Sequence, residues 1–248
     1  MIELVDMCSL QDPERVDFKK MKDSGVRGAW LKASQFSRSL DPTFGVGSTR
    51  AIQAGLNVGA YHFAYCGSDP VAQMKFAHNA CAGLGTSDGE LPFMLDWEFA
   101  ETGSDGKRLT PEAVVDWLWA AAEEANVLWK GKVIIYTYPH FALRHQPFLA
   151  NSGMEKYDLC LAAYPAIRNV PSPWPHAKVH QYVGNGGKVP GVATDCDRDR
   201  FLGTEEEFQF FIGYRPGGGA KVVPDEAETG SGGIIHPLSY EQKDSGAV

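Results

Sequence analysis

Two acidic residues separated by one position are the side chains best suited to acid–base chemistry in this sequence: Asp96 and Glu98, in the segment Leu95-Asp96-Trp97-Glu98. On a β-strand, residues i and i+2 face the same side and lie roughly 6–7 Å apart along the backbone. The apolar residues Phe93, Leu95 and Trp97 then face the opposite side. The pattern predicts that the two carboxyl groups project together from a strand, near its end.

Two further acidic residues are expected near this pair. Asp6 is near the end of the first predicted strand and Asp197 is in the last. In a closed barrel of eight strands the first and last strands are neighbours, so four carboxyl groups would meet at one mouth. Clustered carboxyl groups raise one another's pKa, which produces a group that is protonated near neutrality and can act as a general acid. Asp195 takes the place of Asp197 if the strand register is shifted by two residues, and the sequence leaves both open.

The elements that would carry these acids alternate along the chain. Short apolar, β-branched or aromatic runs, typical of strands, alternate with segments of helical periodicity. The predicted strands are 2–7, 28–33, 58–65, 92–99, 132–138, 158–164, 178–183 and 195–201. The predicted helices are 14–23, 43–54, 110–126, one beginning at Asp69-Pro70 and one beginning at Pro139.

This order of elements predicts an α/β fold, an irregular (β/α)8 TIM-like barrel. It has about five β/α units followed by three strands with few helices. In such barrels the active site forms at the carboxyl ends of the strands. With 248 residues, 44% of them hydrophobic, the chain can bury one sizeable core. We predict a catalytic barrel at 1–213 and a flexible tail at 214–248, which is rich in glycine and acidic residues.

Composition argues against several classes of partner. The chain has 23 Lys and Arg against 31 Asp and Glu, a net charge of −8, which is unfavourable for nucleic acid. No apolar run approaches membrane-spanning length, and the N-terminus lacks the features of a signal peptide, so we expect synthesis in the cytoplasm and no membrane partner. The five scattered cysteines argue against a disulfide framework and a structural zinc site. We expect a monomer without a metal or cofactor.

From Val5 to about Thr204 the chain resembles the family 25 glycoside hydrolases, the N-acetylmuramidase type of lysozyme. The resemblance rests on an ordered set of blocks in which Leu95–Glu98 matches the catalytic D-x-E. The other blocks are Val5–Gln11, Leu31–Ser34, Gly59–Phe63, Ala163-Tyr164, His180–Tyr182 and Cys196–Thr204. The chain departs from the family pattern at Phe36, where glycine is usual, and at His180, where tryptophan is common. Both departures bear on the shape of the substrate groove.

The resemblance implies a role for each candidate residue. Glu98 would be the general acid/base, and Asp96 would orient the N-acetyl group of the substrate or stabilise developing positive charge. Asp6 and Asp197 would be supporting acids, and Lys32 an inward charge partner of the acidic cluster. The sugar groove would be lined by Tyr61, Phe63, Tyr136, Tyr164 and Gln181, although packing in the barrel core explains Phe63 equally well.

The activity implied is that of a lysozyme, which hydrolyses the β-1,4 bond between N-acetylmuramic acid and N-acetylglucosamine in peptidoglycan glycan strands. A retaining mechanism assisted by the 2-acetamido group of the substrate would need no separate nucleophile. Without a signal peptide, such an enzyme would suit a phage lysin that is released at lysis or carried on a virion.

Three alternatives remain open from the sequence. A chitinase-like barrel also uses strand-borne D-x-E acids, but Phe93, Met94 and Leu95 stand where its longer D-x-x-D-x-D-x-E signature needs further acids. A Mg²⁺ or Ca²⁺ cage for phosphoester chemistry would use the same four carboxyl groups, without a phosphate-binding glycine loop to support it. A wall-binding or virion structural protein would not cleave at all.

Overall fold

The computed structural model describes residues 2–82, 90–99, 102–103, 106–184 and 186–213. Its strands, in chain order, are β1 (Ile2–Met7), β2 (Val26–Gln35), β3 (Ser39–Leu40), β4 (Asn57–Phe63), β5 (Phe93–Asp96), β6 (Val133–Thr137), β7 (Asp158–Ala162), β8 (Val179–Val183) and β9 (Asp197–Phe201). The two-residue β3 pairs with the end of β2. The other eight strands of the described residues form one sheet, closed by the pairing of β1 with β2.

The strands of the barrel do not all run in one direction. β1 pairs with β2, β2 with β4, and each strand from β4 to β8 with the next, all in parallel. β9 runs antiparallel to both of its neighbours, β8 and β1. The first residues of β9 therefore lie at the same end of the barrel as the last residues of the parallel strands. Asp6 and Asp197 are direct neighbours in the register of β1 and β9.

The helices of the described residues are α1 (Phe18–Asp23), α2 (Phe44–Gln53), α3 (Pro70–Cys81), α4 (Pro111–Leu128), α5 (Pro139–Arg144), α6 (Gln146–Leu149) and α7 (Glu205–Phe211). The predicted starts of α3 and α4 are confirmed. The Asp69 side chain accepts a hydrogen bond from the Ala72 N–H at 2.7 Å, and Thr110 accepts one from the Ala113 N–H at 3.2 Å. Such caps satisfy backbone N–H groups that have no partner within the helix.

The five β/α units and the three strands with few helices between them are confirmed. Within the described residues, no helix lies between β7 and β8 or between β8 and β9. The irregular TIM-like barrel is thus the observed fold. The sequence did not predict α7, which follows β9 and begins at the capping box formed by Thr204 and Glu207.

Two predicted boundaries were wrong, and the second concerns the site. The helix predicted from residue 14 begins at Phe18, because Asp17 caps it by accepting a hydrogen bond from the Lys20 N–H at 2.9 Å. Strand β5 ends at Asp96, so Glu98 lies in the loop that follows and not on the strand. The chain leaves the sheet after the Trp97 N–H has bonded to the Tyr136 carbonyl at 2.9 Å.

Apolar side chains divide between the two faces of the barrel wall, as the alternation around Asp96 predicted. Phe93, Leu95 and Trp97 belong to the larger buried cluster between strands and helices. Met94 belongs to the smaller cluster inside the barrel, where Phe208 of α7 also packs. Even-numbered residues of β5 therefore point inward, and Asp96 follows Met94 on that face.

The proposed tail at 214–248 lies outside the described residues, so the domain boundary at residue 213 stays a prediction. None of the helices in the described part of the chain is long and apolar enough to cross a membrane.

Candidate active site

Two adjoining cavities open at the end of the barrel where the parallel strands terminate, and together they contain all ten candidate residues. The central cavity has a volume of about 190 Å³ and is lined by Asp6, Lys32, Tyr61, Phe63, Met94, Asp96, Glu98, Tyr136, Gln181 and Asp197. The outer cavity, of about 500 Å³, includes Tyr164 in its wall. Glu98 and Tyr136 line both cavities, so these two residues form the boundary between them.

Three strand ends and one loop bring the four acids together. Asp6 is the penultimate residue of β1, Asp96 is the last residue of β5, and Asp197 is the first residue of β9. Glu98 reaches the same cavity from the loop after β5. Asp96 is only 6% exposed, whereas Glu98 and Asp197 are half-buried. The reversed direction of β9 is what places Asp197 at this end of the barrel.

Burial and mutual repulsion favour the protonated forms of these carboxyl groups. Burial raises the pKa of Glu98, and the nearby Asp197 raises it further, while Lys32 opposes the shift. Burial and the neighbouring Glu98 raise the pKa of Asp96 well above its usual range. Burial and Asp197 raise the pKa of Asp6 to about 7. A carboxyl group whose pKa is raised toward neutrality can deliver a proton at neutral pH.

Gln181 fixes Asp6 to the aromatic wall of the groove. Its side-chain N–H donates to Asp6 Oδ2 at 2.6 Å. Its side-chain oxygen accepts from the hydroxyl of Tyr136 at 3.0 Å and from the hydroxyl of Tyr164. The network joins β1, β6 and β8 to the segment after β7, and it leaves the amide of Gln181 little freedom to turn.

Lys32 is the basic residue of the central cavity. Its ammonium group hydrogen-bonds the Gln35 side chain and lies 4.9 Å from the centre of the Phe63 ring. The positive charge lowers the pKa of both Asp96 and Glu98 against the larger effect of burial. Lys32 therefore partly offsets the repulsion between the acids.

An aromatic cluster borders the cavity on the side of β2 and β4. The Phe36 ring lies 6.1 Å from that of Phe63 and 5.3 Å from that of Tyr65, and Phe99 lies 6.0 Å from Tyr65 in a stacked arrangement. Phe36 has a φ of 54°, a left-handed conformation that glycine adopts at much lower cost. The glycine expected here from the family resemblance would suit this backbone, and in this chain a phenylalanine ring occupies the position.

His180 and His62 both lie outside the cavity. His180 alternates with Gln181 on β8 and hydrogen-bonds the carbonyl of Ala163 at 2.6 Å, so the departure from tryptophan does not reach the groove. His62 is fully buried, and its ring nitrogens meet Ser34 Oγ at 2.8 Å and Gln73 Oε1 at 3.1 Å. Burial lowers the pKa of His62 to about 4, which keeps the ring neutral.

The sequence left open whether Asp195 or Asp197 belongs to the site, and the structure places only Asp197 in the cavity. Asp197 lines the central cavity, whereas Asp195 precedes β9, is exposed and pairs with Lys188. A third aspartate, Asp199, was missed: it is fully buried inside the barrel, two residues along β9 from Asp197. The i, i+2 spacing that identified Asp96 and Glu98 would have identified it too.

A metal cage needs at least three His, Cys, Asp or Glu side chains that converge on one point. No such group is found among the described residues. The four acids instead surround an open cavity, where their oxygens can meet a substrate.

The raised pKa values predict how stability depends on pH. Acids with raised pKa values bind more protons in the folded state, so the free energy of unfolding should fall as pH rises from about 4, the unfolded value, to about 7, the folded pKa of Asp6. Asp6→Asn removes one such acid and should raise Tm at pH 8 by about 2–4 °C, equivalent to roughly 1 kcal/mol. It should raise Tm less at pH 5.

Thermal unfolding followed by circular dichroism between pH 5 and pH 8 measures both effects. Asp23→Asn is the control, because Asp23 is an exposed acid that pairs with Lys19 on α1. A stability gain for Asp6→Asn that is equal at the two pH values would contradict the prediction.

A barrel whose strand ends present clustered carboxyl groups to a groove with aromatic walls defines a glycosidase type of site. The model of the glycosyl hydrolases family 25 matches residues 5–192, and the chain belongs to this family. Lysozyme M1 of Streptomyces globisporus is 25% identical over 201 residues, which cover 76% of this chain and 64% of that protein. The chain thus spans less than two thirds of the length of lysozyme M1.

Solved structures show the same architecture. The bacterial lysozyme from Streptomyces coelicolor is similar with a TM-score of 0.70 and 25% identity, over 85% of this chain and 96% of that one. The family GH25 lysozyme from Aspergillus fumigatus has a TM-score of 0.71 and 25% identity, over 85% of this chain and 98% of that one. The family expected from the sequence motifs is confirmed.

Proposed function

We propose that the protein is a lysozyme that hydrolyses the β-1,4 bond between N-acetylmuramic acid and N-acetylglucosamine in the peptidoglycan of bacterial cell walls. The observation that carries the proposal is Glu98, an acid of raised pKa at the boundary of two cavities and beside the buried Asp96. Family membership supports it. The catalytic domain would comprise residues 1–213, since α7 ends at Phe211.

In the proposed reaction, protonated Glu98 gives its proton to the glycosidic oxygen as the bond from C1 to that oxygen breaks. The carbonyl oxygen of the 2-acetamido group of the same sugar attacks C1 and forms a cyclic oxazolinium ion. The carboxylate of Glu98 then removes a proton from a water molecule, which attacks C1 and opens the ring. The configuration at C1 is retained, as in other substrate-assisted glycosidases.

Asp96 would hold the acetamido group in place for this attack. One of its oxygens, Oδ1, is buried and has no hydrogen-bond partner among the described residues. A hydrogen bond from the acetamido N–H would satisfy it, and the negative charge would stabilise the oxazolinium ion. Tyr61 and Phe63 would contact the sugar ring, and the pair of Asp6 and Asp197 would maintain the negative potential around C1.

Mass spectrometry of peptidoglycan digested by the protein tests the proposal. A lysozyme of this type releases fragments with muramic acid at the reducing end, and Glu98→Gln should release almost none. Fragments with glucosamine at the reducing end would show a glucosaminidase. Cleavage of chitin oligosaccharides but not of peptidoglycan would favour the chitinase-like alternative, and wall binding without cleavage would favour a structural protein.

The outer cavity offers a reason to prefer a substrate that carries a carboxylate. Its lining includes His140 and Arg168, and Arg168 is the one permanently charged cation among the lining residues. Arg168 is exposed and has no hydrogen bond or ion pair with any described residue. In glycan strands freed of their stem peptides, muramic acid differs from glucosamine by a lactyl ether that ends in a free carboxylate. The guanidinium group of Arg168 would bind that carboxylate, which chitin lacks.

Arg168→Gln should therefore raise KM for peptide-free glycan strands about fivefold, the effect of losing a solvent-exposed ion pair worth about 1 kcal/mol. The kcat should change little, because the contact is distant from C1. Steady-state kinetics on soluble glycan strands, with and without chemical amidation of the lactyl carboxylates, measures both.

Lys19→Gln is the matched control, since it removes one positive charge from α1 on the outside of the barrel. An equal rise in KM for both variants would indicate a long-range effect of net charge. An undiminished effect of Arg168→Gln on amidated strands would show that Arg168 does not bind the carboxylate.

A further inference from the structure

Asp199 is a fully buried acid that the proposed reaction does not use. In the sheet register it lies between Leu4 of β1 and Gln181 of β8, one step deeper in the barrel than the neighbouring pair Asp6 and Asp197. Leu4 and the nearby Phe201 belong to the apolar cluster inside the barrel. The carboxyl group of Asp199 therefore lies at the floor of the active site, where solvent does not reach it.

The surroundings of Asp199 are unsuitable for a carboxylate. Neither of its oxygens accepts a hydrogen bond from an N–H or hydroxyl donor among the described residues. On the inner face of β1 the residue next to Leu4 is Asp6, so the carboxyl of Asp6 is the adjacent acid, and its charge raises the pKa of Asp199. A buried carboxylate without a donor is very costly, whereas a carboxylic acid can donate its own proton to an acceptor.

We propose that Asp199 is a positioning residue that stays protonated and donates a hydrogen bond to Asp6, which holds Asp6 as an oriented carboxylate. Asp6 then receives two hydrogen bonds, one from Asp199 below and one from Gln181 at its side. Tyr136 and Tyr164 fix Gln181 in turn. Asp199 thus acts on the groove through Asp6 and contacts no substrate itself.

The charged and titratable groups around Asp199 favour this assignment. Besides Asp6, they are Glu3 on β1, Asp197 on β9, Cys160 on β7, Cys196 before β9 and Tyr164 after β7. Burial is the largest cause that raises the pKa of Asp199, followed by the charge of Asp6, and Asp197 and Glu3 act in the same direction. Burial also raises the pKa of the Cys160 thiol, so that group stays neutral. The hydrogen bond from Asp199 lowers the pKa of Asp6, which favours its ionised form.

Two substitutions at Asp199 separate the hydrogen bond from the negative charge. Asp199→Leu removes the donor, so the pKa of Asp6 should rise and the acid limb of the pH profile of kcat/KM should move up by about one pH unit. Asp199→Asn keeps an N–H donor, so its acid limb should lie close to that of the unsubstituted protein. The Asn variant should also lack any alkaline loss of activity caused by ionisation of Asp199. These kinetic readouts rest on the proposed function.

A spectroscopic test does not depend on that function. Infrared difference spectra of the free enzyme, recorded against pH, should show a protonated carboxylic acid that persists above pH 7 and is absent from Asp199→Asn. Thr137→Val is the control, because Thr137 is another fully buried residue whose hydroxyl has no hydrogen-bond partner in the described part of the chain, but it lies outside the network. The Thr137→Val variant should have the same infrared spectrum in the carboxylic acid region and the same pH profile as the unsubstituted protein.

Two results would overturn the assignment. One is an Asp199 carboxyl that titrates below pH 5 in the infrared spectra. The other is an Asn variant whose pH profile matches that of the Leu variant. If the spectra behave as expected but no glycan is cleaved, the proposed function fails and the protonation of Asp199 stands.

Discussion

Glu98→Gln should lower kcat on peptidoglycan by about 10²–10⁴-fold, the usual contribution of general acid–base catalysis. Glutamine keeps the shape and the hydrogen-bonding capacity of the side chain but has no transferable proton. Folding and substrate binding should survive, because a neutral amide beside Asp96 removes repulsion in a site where burial already disfavours charge. Turnover of soluble glycan strands and the thermal unfolding curve measure the two effects separately.

A substrate with an activated leaving group isolates the missing proton. An aryl glycoside whose phenol is acidic needs little protonation to depart, so Glu98→Gln should recover a large part of its activity on it. Glu112→Gln is the control: Glu112 lies in the first turn of α4, on the outside of the barrel, and its loss should leave kcat in place. Unimpaired turnover by Glu98→Gln would mean that the active site lies elsewhere.

The order of strands and helices was predictable because each helix start carries a local signal. Asp69-Pro70 and Thr110-Pro111 combine a capping side chain with a proline, and both mark helix starts in the structure. The start of α1 was placed four residues too early because Glu14 is compatible with a helix, while Asp17 satisfies the cap. Local propensity indicates that an element exists more reliably than it indicates its ends.

The direction of β9 was not predictable from its residues. Inward and outward positions alternate identically in parallel and antiparallel strands, so Asp197 and Asp199 carry no signal for direction. The chain turns back between Val183 and Asp197, so β9 begins at the end of the barrel where β8 ends. Asp6 and Asp197 were nevertheless expected to be neighbours, since closure alone makes β1 and the last strand adjacent.

Site residues on strands were predictable from strand alternation, whereas the positions of site residues in loops were not predictable from the sequence. Alternation placed Asp96 on the inner face of β5, and the family motif supplied Gln181 and the tyrosines. Arg168 lies between β7 and β8, where no periodic pattern fixes the position of a side chain. The hydrogen bond between Gln181 and Asp6 joins residues 175 positions apart, and only the closed barrel brings them together.

Asp96→Asn should also lower kcat severely, by about 10²–10³-fold, but for a different reason from Glu98→Gln. The buried Oδ1 of Asp96 has no described partner in the free enzyme, so it is available to the acetamido N–H of the substrate. Burial raises the pKa of both acids, and the repulsion between Asp96 and Glu98 means that a proton on one favours ionisation of the other. Donation from the acetamido N–H favours the ionised form of Asp96, which leaves the proton on Glu98.

Asparagine can accept the same hydrogen bond, but it brings no negative charge to the oxazolinium ion. An activated leaving group does not replace that charge, so the aryl glycoside should rescue Asp96→Asn much less than Glu98→Gln. The alkaline limb of the kcat profile should also move to lower pH, because Glu98 then ionises without the repulsion from Asp96, while Asp197 and Lys32 remain. Measuring kcat for both variants on both substrates between pH 4 and pH 9 tests these expectations together. If the aryl glycoside rescues Asp96→Asn more than Glu98→Gln, the proton donor is Asp96 and the two roles are exchanged.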